Sequence, residues 1–142
     1  MKKILYPLFI FSILFTIGCE DEKETSDTNP LVGVYNMTSL SIELQTTPTQ
    51  TLTFNHDGTD NYLVFILGDD GVYSLQGKID GVDGSEGGTW SDTGNKLTFI
   101  QSDGDTKIWD FTLTGNNLVM TRTEPETDEN WGLLITYNFT KE

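Results

Sequence analysis

Gly94-Asn95-Lys96-Leu97-Thr98-Phe99-Ile100-Gln101-Ser102-Asp103-Gly104-Asp105-Thr106-Lys107-Ile108-Trp109-Asp110-Phe111-Thr112-Leu113-Thr114-Gly115-Asn116-Asn117-Leu118-Val119-Met120 is the stretch that decides the fold. Leu97 and Phe99 alternate with Lys96 and Thr98. Trp109, Phe111 and Leu113 alternate with Ile108, Asp110 and Thr112, and Leu118 and Met120 with Val119 and Thr121. Alternation with period 2 puts one set of side chains on one face of a strand, whereas a helix needs a period near 3.6. Gly94-Asn95, Asp103-Gly104 and Gly115-Asn116 separate the three runs. Glycine supplies the positive φ of a tight hairpin, and Asp or Asn tolerates it.

The same pattern extends in both directions. Leu40, Ile42 and Leu44 alternate with polar residues, as do Leu52 with Phe54 and the set Ile135, Tyr137 and Phe139. Tyr62 to Leu67 is a continuous apolar run, which predicts a strand covered on both faces. Asp57-Gly58, Asp70-Gly71 and Asp80-Gly81 add three turns, so that successive turn glycines fall 13, 10, 13, 10 and 11 residues apart. Short strands at such spacing predict an all-β domain of about eight to nine strands. Short connections predict that neighbours pair in order, as an up-and-down antiparallel meander. Closing the meander into a β-barrel removes its edges. The domain spans residues 31–142, beginning at Leu31, enough for one modest core.

Several segments together resemble a known family. Leu31-Val32-Gly33-Val34-Tyr35-Asn36-Met37-Thr38-Ser39 is similar to the opening strand of lipocalin-like domains in bacterial lipoproteins, with Tyr35 where those have Trp. Thr51 to Thr59 is similar to their second hairpin. Gly87-Gly88-Thr89-Trp90-Ser91 and Gly94 to Phe99 are similar to their middle strands, and Gly115 to Met120 to their penultimate strand. The resemblance implies a small barrel whose interior can hold one small ligand.

The first residues read as an address. Lys2 and Lys3 precede an apolar run from Ile4 to Ile17, and Gly18-Cys19 follows. A positive start, a short apolar core and a small residue before the cut describe a secretory signal over residues 1–18. The run is shorter than the ~18 residues of a spanning helix. Thr16-Ile17-Gly18-Cys19 resembles the lipobox of a bacterial lipoprotein, in which the Cys is lipidated and becomes the N-terminus. Lipidation at Cys19 anchors the domain in a membrane, because each buried methylene contributes about 0.8 kcal/mol. Residues 19–30 are acidic and polar, and they predict a flexible tether. The acidic residues after Cys19 resemble the surface-export signal of lipoproteins in Bacteroidota-type bacteria. The expected location is therefore the cell envelope, lipid-anchored in the outer membrane, on its periplasmic or its extracellular face.

Composition narrows the function. The chain of 142 residues carries 8 basic and 22 acidic residues, a net charge of −14. Loss of Lys2 and Lys3 with the signal would leave 22 acids against 6 bases, a net charge of −16. Such acidity argues against nucleic-acid phosphates and anionic lipid surfaces as partners. One Cys and one His exclude a disulfide framework and multi-His or multi-Cys zinc sites. His56 lies in a turn with no nucleophile beside it, and Asp69 with Asp70, Asp80 with Asp83, and Asp103 with Asp105 sit beside turn glycines. They read as turn chemistry rather than as catalytic pairs. Asp80, Asp83 and Glu86, or Asp57, Asp60 and Asn61, could offer oxygens to calcium, but the EF-hand spacing is absent. The expectation is a protein without catalytic residues, cofactor or metal.

Aromatic residues carry the binding reading. Tyr35, Trp90, Trp109 and Trp131 are the candidate ligand contacts at the barrel interior or mouth, since Tyr and Trp join an apolar body to a polar handle. Trp131 lies in a polar loop before the last strand. The expected function is non-catalytic binding of a small apolar molecule, which needs a pocket above roughly 300 Å³. The alternative is a surface module that binds a glycan or a protein through its loops.

Overall fold

A computed structural model describes residues 28–128 and 130–142. The signal segment 1–18, Cys19 and most of the tether lie outside the described residues.

Nine strands follow one another: β1 (Gly33–Leu44), β2 (Gln50–Asn55), β3 (Tyr62–Leu67), β4 (Val72–Ile79), β5 (Val82–Thr93), β6 (Lys96–Gln101), β7 (Thr106–Thr114), β8 (Asn117–Glu124) and β9 (Leu133–Lys141). From β3 to β9 each strand pairs antiparallel with the next, and β9 returns to β1. Eight strands close a barrel, and β2 is an extra strand outside the closed ring. The tight turns sit where the sequence puts them. At the β4–β5 turn both Asp80 and Gly81 have positive φ, 52° and 74°, the requirement of a type I′ hairpin.

Pairing in order fails at one place, because β3 pairs with β1 rather than with β2. The cause is a bulge in β1. Opposite β9, Met37 faces Phe139 and Ser39 faces Asn138, which leaves Thr38 unpaired. An extra residue bends a strand and resets its alternation. Tyr35 and Met37 are buried before the bulge and Leu40 after it, a change of parity. The first half of β1 therefore pairs with β3 over Gly33–Asn36, and the second half with β2 over Ser39–Leu44. β2 and β3 thus lie end to end along one edge of β1.

The strand Tyr62–Leu67 also departs from expectation. Only Leu63, Phe65 and Leu67 are buried, while Ile66 is exposed on the outer face. The continuous apolar run marks one buried face and one apolar outer face, not a strand covered twice.

The barrel has two unlike poles. At one, the turns β3–β4, β5–β6 and β7–β8 meet the entering chain. Leu31 plugs this pole; Tyr35, Leu67, Leu97 and Leu118 pack beside it, all at most 2% exposed. Each buried side chain of this size contributes about 1.5–3 kcal/mol. Tyr35 donates its hydroxyl to Leu31 O at 2.7 Å, and Lys141 reaches over the Tyr35 ring to Pro30 O. At the other pole lie the β1–β2, β4–β5, β6–β7 and β8–β9 connections. This pole carries the candidate site.

Candidate functional site

Phe65 stands at the waist of the barrel, within ring contact of Tyr35, Tyr73, Phe99 and Phe139. From there the rings run toward the open pole. Phe139 stacks on Tyr137 at 5.6 Å, and Tyr137 meets Trp109 at 5.5 Å. Above Phe65 the packing stops short and leaves a cavity of about 90 Å³, lined by six aromatic rings with Glu86, Lys107, Leu75 and Met120.

Beside the cavity lies a wider cleft of about 390 Å³, and Leu75, Glu86 and Tyr137 line both. Glycines make the room. Gly77 of β4 pairs with Gly84 of β5, and both lie in the cleft wall. A Cβ on Gly77 would fall 2.0 Å from Tyr62 O, so only glycine fits there. Ile79 and Val82 lie beyond them at the β4–β5 hairpin tip; Ile79 packs on the core and Val82 is exposed.

Among the described residues, the charged groups Glu86, Lys107 and Arg122 gather in this half of the barrel. Lys107 Nζ donates to Glu86 Oε2 at 3.1 Å, and Tyr73 OH donates to Glu86 Oε1 at 2.8 Å. Burial, then the bonded Glu86 carboxylate, pushes the Tyr73 phenol well above its ordinary range. Arg122 bonds Glu124 Oε1 at 2.8 Å and lies 5.9 Å from the Trp109 ring centre. Tyr137 lines both cavity and cleft, and among the described residues its hydroxyl has no hydrogen-bond partner. Burial, and next the charge of Glu86, raise its pKa.

The four aromatic candidates separate. Trp109 lines the cavity. Tyr35 and Trp90 belong to the sealed pole, where their polar atoms are used on Leu31 O and Gly68 O. They fill the barrel and do not line the cavity. Trp131 stands on the β8–β9 loop, 59% exposed, the one aromatic among the exposed large hydrophobic residues described.

The sequence reading weighed Glu86 only as an oxygen ligand for calcium, and it did not name Lys107, Arg122, Tyr73 or Tyr137 as site residues. The signal was present in the alternation itself. Lys107 lies two residues before Trp109, and Arg122 two after Met120, so both share the inward face. Charged residues inside a barrel are uncommon, so alternation alone did not single them out.

The acidic turns hold their own backbone. Asp57 accepts the N–H groups of Asn61, Thr59 and Asp60, and the side-chain amide of Asn61. These bonds hold its carboxyl well below the usual range. Glu86 points inward, away from any grouping with Asp80 and Asp83. Among the described residues no three His, Cys, Asp or Glu side chains gather as a metal site. His56 lines a separate groove of about 370 Å³ on the outer wall with Thr38 and Lys141.

The chain matches the family model described as a lipocalin-like domain over residues 31–120. No curated protein and no solved structure matches it.

Proposed function

The chain belongs to the lipocalin-like domain family, and from that premise we propose that it binds a small, largely apolar molecule at its open pole without transforming it. Barrels of this kind are small-molecule-binding folds. The observation that carries the reading is that the ring-lined cavity and the cleft adjoin, with Leu75, Glu86 and Tyr137 in the walls of both. The cavity alone, about 90 Å³, is too small for such a ligand. Joined to the 390 Å³ cleft it reaches the few hundred Å³ a ligand needs. The ligand's body therefore lies in the cleft, and only its end enters the cavity.

The proposal also puts the domain on a lipid anchor at Cys19, on the outer membrane. The tether joins the domain at the sealed pole, so the mouth would face away from the bilayer. Grown with labelled palmitate in a bacterial host, the full chain is expected to carry the label and Cys19→Ser to lack it. Equal labelling of both would remove the anchor from the proposal.

Binding is tested with the neutral apolar fluorophore N-phenyl-1-naphthylamine on the full chain carrying Cys19→Ser, free of acyl chains. Trp109→Ala should weaken binding at least tenfold, while Trp131→Ala leaves it unchanged. The reverse pattern would favour a second reading, in which the exposed Trp131 anchors a glycan or a protein on the loops.

A further inference from the structure

The inward charges say what kind of ligand end the cavity accepts. We infer that the cavity is a receptor for an uncharged hydroxyl headgroup, so that the ligand is an alcohol-headed amphiphile that enters head first. This rests on the binding reading above and specifies its ligand class.

Size comes first. A space of about 90 Å³ holds roughly three waters at ~30 Å³ each, room for a headgroup but not for a chain. The adjoining cleft is lined by Leu63, Leu75, Ile79 and Val82, surfaces suited to an apolar tail. The direction of entry follows.

Charge comes second. Both oxygens of Glu86 are engaged, one by Tyr73 and one by Lys107. Arg122 is engaged by Glu124 and by the Trp109 face. The cations and anions around the cavity are therefore matched in number and bonded in pairs. A carboxylate entering would stand beside Glu86, and an ammonium beside Lys107. Either would leave water to meet a like charge in a poorly solvated space.

Hydrogen-bonding capacity comes third. Lys107 has three N–H donors and gives one to Glu86. The Tyr137 hydroxyl has no partner among the described residues, and the Tyr73 oxygen can still accept. An alcohol carries one donor and two acceptor lone pairs. It can accept from Lys107 or Tyr137 and donate to Tyr137 or Glu86 without disturbing the ion pair.

The test compares 1-octanol, octanoate and octylammonium at pH 8 on the full chain carrying Cys19→Ser, by displacement of N-phenyl-1-naphthylamine. The wild-type site should prefer octanol to both ions. Octanol is also the least hydrated of the three, so the diagnostic arm is the change with charge. Glu86→Gln should raise octanoate affinity tenfold or more relative to octanol. Lys107→Met should do the same for octylammonium. A wild-type site that holds either ion as tightly as octanol would overturn the inference, as would an order of preference that neither variant alters. If one variant does not fold, the other and the wild type decide. Displacement by none of the three, with the fluorophore still bound, sinks the headgroup inference alone. Failure to bind the fluorophore sinks the binding reading itself.

Discussion

At the pole where the chain enters, Leu31, Tyr35, Leu97 and Leu118 are sealed from solvent. At the opposite pole the same inward faces carry Glu86, Lys107 and Arg122 around a cavity. Both poles are built from one alternation, often on one strand. β5 contributes Trp90 to the sealed pole and Glu86 to the mouth. β8 contributes Leu118 to the first and Arg122 to the second. Large apolar residues fill one end and hold the barrel together. At the other end, glycines and paired charges border a cavity of about 90 Å³ and the adjoining cleft. Tight packing and inward charge are thus segregated along the barrel axis, not shared around it.

The largest expected break in this contrast is in stability. Leu118 is fully buried, so Leu118→Ala leaves a cavity in packed surroundings and should cost about 3 kcal/mol. Leu52, on the free strand β2, is 53% exposed. Leu52→Ala should stay within about 0.5 kcal/mol. Urea denaturation of both variants measures the difference. Similar costs at the two positions would mean that the extra strand β2 is packed as tightly as the sealed pole.

The contrast was half legible in the sequence. The turns were readable because Asp70-Gly71, Asp80-Gly81, Gly94-Asn95 and Gly115-Asn116 place glycine where φ must be positive. Strand number followed from their spacing, whereas closure was expected only because an open sheet exposes its edges. The β1–β3 pairing was not readable, because it depends on one unpaired residue, Thr38, that nothing in Met37-Thr38-Ser39 announces. In the site, Trp109 was legible as an inward aromatic. Tyr35 and Trp90 have the same chemistry and the same alternation, yet they end in packing. Position along the barrel axis separates them, and alternation reports only the face, not the depth. Glu86 was hidden differently. Its acidic neighbour Asp83 sits in a Gly-rich segment that reads as a loop, whereas Val82–Thr93 is one long strand.

A smaller effect sharpens the contrast through pH. Burial raises the pKa of Tyr35 at the sealed pole, as it does for Tyr73 and Tyr137 at the mouth. A raised pKa in the folded state means that the folded chain keeps its proton where the unfolded chain, near pKa 10, has lost it. Stability from these groups is therefore complete below about pH 10 and falls as pH rises toward the folded values, by at most ~1.4 kcal/mol per pH unit for each tyrosine. The poles should differ in how the proton leaves. The Tyr35 hydroxyl is fully buried and bonded to Leu31 O, so its ionisation should appear only with unfolding. The Tyr137 hydroxyl faces the cavity and should ionise in the folded barrel. Absorbance at 295 nm, followed beside near-ultraviolet circular dichroism, separates the two. Tyr35→Phe should lose about 1 kcal/mol at neutral pH with its hydrogen bond, and should fall less steeply above pH 10. Tyr137→Phe should instead shrink the phase that precedes unfolding by one tyrosine's absorbance. A pre-unfolding phase that Tyr137→Phe leaves unchanged would mean that the mouth is as closed to solvent as the sealed pole.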